Sequence, residues 1–118
     1  MRRMNYNPFE KPFASGEYNP TKKAFIVDRN IEVGSIYYAR IVDPDTPSQT
    51  ITIIDTTEYG ELSFNSMPFE MSDNTGTPRL FSLSISARDN NEIFVISNNY
   101  EPPSTADYRY LIYIYKIS

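Results

Sequence analysis

From residue 23 onward the chain repeats one pattern: short runs rich in Ile, Val, Tyr and Phe, cut by clusters of Asp, Asn, Pro and Gly. The clearest run is Arg79 to Ala87. Phe81, Leu83, Ile85 and Ala87 alternate there with Leu80, Ser82, Ser84 and Ser86. A period of two is that of a strand with one buried and one wet face. Similar runs cover Lys23–Asp28, Ser35–Val42, Thr50–Asp55, Glu61–Asn65, Glu92–Ser97 and Tyr108–Ile117. Asp43-Pro44-Asp45-Thr46-Pro47 and Asp73-Asn74-Thr75-Gly76-Thr77-Pro78 separate them as turns, since Asp, Asn, Pro and Gly each favour turn conformations. Asp89-Asn90-Asn91 is a tight-turn signal, since these residues tolerate the left-handed conformation, which makes 79–97 a hairpin. No ten-residue stretch carries the i, i+3, i+4 spacing of an amphipathic helix.

About seven strands at short intervals predict an all-β domain: two antiparallel sheets packed face to face, or a small barrel. A β-sandwich is the expectation, jelly-roll or immunoglobulin-like in strand order.

Residues 1–22 follow no period. Pro8, Pro12 and Pro20 bias them toward extended, irregular backbone, yet Tyr6, Phe9, Phe13 and Tyr18 are interposed among polar residues. Solvating linkers are poor in such rings. The segment is therefore expected to be an extended N-terminal arm whose rings seek a pocket, leaving 23–118 as the β domain. The last strand poses a related question. Tyr108 and Tyr110 share one face with Ile112 and Ile114, while Tyr113 and Tyr115 share the other with Leu111. Both faces call for a cover: the core on one side, and on the other the arm, a partner or a sugar stacked on an aromatic platform.

Charge sharpens this division. Residues 1–25 hold five basic and two acidic side chains, and residues 26–118 hold six and thirteen, within a total of −4. A basic head on an acidic body suits docking onto an acidic neighbour, with Arg2 and Arg3 steering the approach. An acidic body and a few scattered cations disfavour a nucleic-acid partner.

The chain of 118 residues has no Cys, His or Trp. That excludes disulfides, thiolate nucleophiles, His-based dyads and zinc sites built on His or Cys. Between Lys23 and Lys116 there is no lysine to activate a serine. Carboxylate pairs remain, Asp43 with Asp45 and Glu58 with Glu61, but both lie in turns, where such groups are solvated. The acidic and amide residues in the loops do not follow the spacing of a calcium loop. No catalytic residue, metal or cofactor is expected. Nor is a membrane span, which needs ~20 apolar residues, or a signal peptide, since no apolar stretch follows Met1-Arg2-Arg3.

In architecture the arrangement resembles small β-sandwich subunits of virus and phage particles that reach over neighbours with a terminal arm. That resemblance implies a non-enzymatic structural or assembly protein: a capsid-associated, cement, or tail or connector component. It would be made in the cytoplasm and end in a virion or similar assembly. Its partners would be other protein subunits, met by Arg2, Arg3, Tyr6, Phe9, Phe13 and Tyr18. The alternative is a β-sandwich module binding carbohydrate or protein, an inhibitor included, with Tyr108, Tyr110, Tyr113 and Tyr115 as the platform.

Overall fold

A computed structural model describes residues 11–45, 48–57, 63–65, 68–72, 75–86, 89–97, 100–104 and 108–117. Among these there is no helix. The strands are β1 (Ala14–Asn19), β2 (Ala24–Val27), β3 (Ile36–Asp43), β4 (Ser48–Asp55), β5 (Ser63–Asn65), β6 (Phe69–Ser72), β7 (Pro78–Ser86), β8 (Glu92–Ile96) and β9 (Leu111–Lys116). Every pairing is antiparallel, and the hydrogen-bonded order is β4-β3-β9-β1-β2-β8-β7-β5, with β6 also on β7. Between Asn65↔Ser84 and Phe69↔Phe81 the register slips by one residue. β5 and β6 thus pair with successive parts of β7 in registers offset by one residue.

The expected sandwich gives way to a single sheet that nearly closes on itself. Its edges, β4 and β6, meet where the Thr50 hydroxyl donates to the Glu70 carbonyl at 3.3 Å. Closure removes most exposed strand edge, and one small barrel then holds the whole core. Its interior is filled by Phe25, Tyr37, Phe81, Leu83, Ile93 and Ile114 with their neighbours, all essentially inaccessible to solvent.

The expected arm is corrected more deeply. β1 lies inside the segment read as arm and pairs on both edges, with β2 through Gly16↔Val27 and Tyr18↔Phe25, and with β9 through Ala14↔Ile114. Its signal is weak because Ala14-Ser15-Gly16-Glu17-Tyr18-Asn19 holds a single large apolar side chain. Gly16 has a steric reason: a Cβ there would overlap the backbone carbonyl of Ile26. The boundary drawn at residue 22 therefore cuts the β1–β2 hairpin. Arg2, Arg3, Tyr6 and Phe9 lie outside the described residues.

The 79–97 hairpin is observed as β7 and β8. Asp89, Asn90 and Asn91 do not adopt the left-handed conformation; the one described non-glycine residue at positive φ is Lys23, at 56°, in the β1–β2 turn. Asn90 instead clamps the chain after β2. Its carbonyl accepts from the Ile31 amide at 2.9 Å, and its side-chain amide donates to the Ile31 carbonyl at 2.7 Å.

The register gives the barrel two distinct ends. At one, the chain enters beside the end of β9, where the Phe13 amide donates to the Ile114 carbonyl at 2.7 Å. It also leaves there, where the Ile117 amide donates to the Ile36 carbonyl at 2.7 Å. Thr56 pins this terminal end: its hydroxyl accepts from the Gly34 and Ser35 amides and donates to the Ser35 carbonyl at 2.6 Å. The opposite end gathers the β1–β2 and β3–β4 turns and the long connection from β8 to β9.

Candidate functional site: the tyrosine end of the barrel

Two groups of rings that are far apart in the chain meet at this opposite end. Tyr18 comes from β1, and Tyr100, Tyr108 and Tyr110 come from the connection before β9. Tyr18 and Tyr108 have ring centroids 5.2 Å apart, and Tyr108 and Tyr110 5.8 Å. The Tyr100 and Tyr108 hydroxyls are 3.4 Å apart. Tyr100 meets Phe81 edge-on at 6.2 Å, and the Arg79 guanidinium sits 4.1 Å over its ring. Tilted and edge-on pairs match the charge distribution of aromatic rings, so the cluster is a packed layer closing the barrel.

Tyr18 is 6% exposed, and its hydroxyl has no hydrogen-bond partner among the described residues. Burial, followed by the nearby Tyr100 hydroxyl, pushes its pKa up to about 12. Burial also raises Tyr110, and the Asp43 carboxylate adds to it.

Several depressions among the described residues adjoin this layer. One of about 480 Å³ lies between Tyr18, Pro20, Pro44, Tyr108 and Tyr110, with Glu17 and Arg109 at its rim. A smaller one of about 260 Å³ is lined by Asp43, Thr50, Glu70, Met71 and Tyr110. Another, of about 640 Å³, is walled by Pro68, Pro78, Arg79, Leu80, Ile96 and Tyr100, with Ser82 and Ser97 also in its lining. Leu80 is 64% and Ile96 44% exposed. They stand on the outer face of adjacent strands, since Ser82 pairs Ile96 and Leu80 lies one outward position before Ser82. Large apolar side chains grouped around a groove in water mark an interaction surface more often than scattered ones do. The signal for Leu80 was present in the sequence: it is the one apolar residue in an outward row otherwise made of serine.

The residues expected to bind a partner are dispersed. Phe13 packs on the core, 5.3 Å from Tyr37, with the Arg29 guanidinium 3.9 Å over its ring. Tyr18 belongs to the buried core. Both are engaged by their own barrel. The platform tyrosines also separate. Tyr108 is buried and Tyr110 half-buried in the layer just described. Tyr113 and Tyr115 face outward from β9, where Tyr115 stacks on Tyr38 at 4.8 Å and Arg40 covers Tyr113 at 4.8 Å. A stacking sugar needs an open ring face, and at 6% exposure Tyr115 offers little of either of its faces.

Of the carboxylate pairs weighed for acid–base chemistry, Glu58 and Glu61 lie outside the described residues, and the three described carboxylates with a displaced pKa all move down. Lys116 holds Glu32 below its ordinary value, Lys23 does the same for Glu101, and the Thr57 hydroxyl and amide do so for Asp55. A general acid near neutral pH needs the opposite shift. No group of His, Cys, Asp or Glu that could hold a metal occurs among the described residues, and no described helix is long and apolar enough to cross a membrane. No family model, curated protein or solved structure matches the chain.

Proposed function

We propose that this chain is a non-enzymatic structural subunit that joins other protein subunits through the apolar groove at the tyrosine end of its barrel. The proposed setting is a virus or phage particle. The observation that carries the reading is the exposure of Leu80 and Ile96 beside Pro68 and Pro78 in one groove. Apolar area left in water forgoes about 25 cal/mol per Å², which a partner's apolar surface would recover. A small antiparallel barrel with a basic, ring-bearing N-terminal stretch supports the particle setting.

Sedimentation velocity of the purified chain across a concentration series tests the reading. Association is expected, and Leu80→Glu should weaken it about ten-fold or more, as burial of a charge in an interface does. A chain that stays monomeric, or that binds immobilised glycans unchanged by Leu80→Glu, contradicts it.

A further inference from the structure

The groove needs an occupant, and the chain carries a candidate. Residues 1–10 include Tyr6, Pro8 and Phe9, with Arg2 and Arg3 ahead of them, and lie outside the described residues. We propose that this segment of one copy seats in the Leu80–Ile96 groove of another copy, with Phe9 and Tyr6 as its anchors. The inference rests on the assembly reading and names the partner for its groove.

Polarity and reach keep Phe9 of the same molecule away from this groove. The chain enters at the terminal end, beside Ile114, whereas the groove opens at the tyrosine end, along the start of β7 and the end of β8. β1 alone, from Ala14 to Asn19, spans roughly 17 Å at the usual rise per residue. Phe9 lies two residues before Lys11, the first described residue, so it reaches at most about 7 Å beyond it. It therefore cannot fold back onto the groove of its own barrel, but the groove of a second copy is open to it.

Chemistry fits the match. The groove presents Pro68 and Pro78, the exposed side chains of Leu80 and Ile96, and Arg79, whose guanidinium lies over the Tyr100 ring. Prolines and rings dock in such apolar, aromatic-edged grooves with little ordering cost, because proline has already fixed the backbone. Glu70 stands exposed on β6 directly across from Leu80. It lines the neighbouring depression of about 260 Å³ and offers a carboxylate beside Leu80 to Arg2 or Arg3, while Arg79 in the groove leaves the seat itself to the rings. The contact joins different surfaces of the two copies, so it is heterologous.

A mixing experiment on the full chain tests this. One variant, Tyr6→Ala with Phe9→Ala, keeps the groove and loses the anchors. The other, Leu80→Glu, keeps the anchors and blocks the groove; Leu80 is exposed, so its core is untouched, and circular dichroism checks the fold of both. Each variant alone should sediment as a monomer at concentrations where the parent associates. Mixed in equal amounts, they should form one-to-one dimers that grow no further, because one intact segment then meets one intact groove. A mixture that stays monomeric overturns the inference. If the ring variant associates like the parent while Leu80→Glu does not, the inference fails but the assembly reading stands. A monomeric parent overturns both.

Discussion

At the scale of single residues, Tyr18 shows how far a side chain's role can sit from its apparent place in the sequence. Among prolines and polar residues it reads as a ring awaiting a partner. In the barrel it packs edge-on against Phe25 at 5.6 Å and tilted against Tyr108 at 5.2 Å. Its buried hydroxyl, without a partner among the described residues, brings a desolvation cost with no compensating bond. Tyr18→Phe should therefore leave stability at pH 7 unchanged or raise it by up to ~1 kcal/mol, as read from the urea midpoint. Its titration gives a second sign to check. The folded pKa, at about 12, is above the ordinary value of 10.0. The unfolded chain thus gives up this proton first as pH rises. Stability linked to Tyr18 is fully present below pH 10 and is lost between about 10 and 12. Tyr18→Phe should flatten that alkaline decline, and an unchanged slope would show that Tyr18 is not the group responsible.

At the scale of elements, the strands with strong alternation were legible and the weak ones were not. β7 was readable because Phe81, Leu83 and Ile85 repeat over a long run, and the observed strand buries those residues. β6 obeys the same rule, with Phe69 and Met71 buried and Glu70 and Ser72 exposed. Four residues are too few for the period to stand out. β1 was hidden further, since Gly16 occupies the inward position between Ala14 and Tyr18 and leaves almost no apolar alternation. Yet β1 is the strand that links β2 to β9, and with it the hairpin side of the sheet to the side built on β3. Two truncations separate the consequences. Removing residues 1–10 should leave the cooperative β-type circular dichroism signal and thermal transition intact. Removing residues 1–22 exposes the edges of both β2 and β9 and takes Tyr18 from the core, so that transition should be lost or the product should aggregate. A folded 23–118 fragment would show that β1 is dispensable.

At the scale of the whole molecule, the sequence conveyed fold class but not closure, because closure depends on which strands meet. The hairpins β1–β2, β3–β4 and β7–β8 are local. The β9 pairings with β1 and β3 join segments far apart in the chain, and no period reports them. The same long-range pairing brings Tyr18 to Tyr108 and creates the tyrosine end, so the candidate site was legible only in pieces. Two outward apolar regions then compete for a role. One is the β3–β4–β9 face, with Tyr113 under Arg40 and Ile51 at 56% exposure. The other is the groove of Leu80 and Ile96. On the first, aromatic and guanidinium groups already cover one another. On the second, Arg79 covers the Tyr100 ring, but Leu80 and Ile96 stand open beside prolines. Hydroxyl-radical footprinting of the chain at low and high concentration reads both regions in one experiment. Labelling of Leu80, Pro78 and Ile96 should fall as the chain associates, while Ile51 and Tyr113 stay as reactive as in the dilute chain. Protection of Ile51 and Tyr113 with Leu80 unchanged would place the interface on the other face and contradict the account.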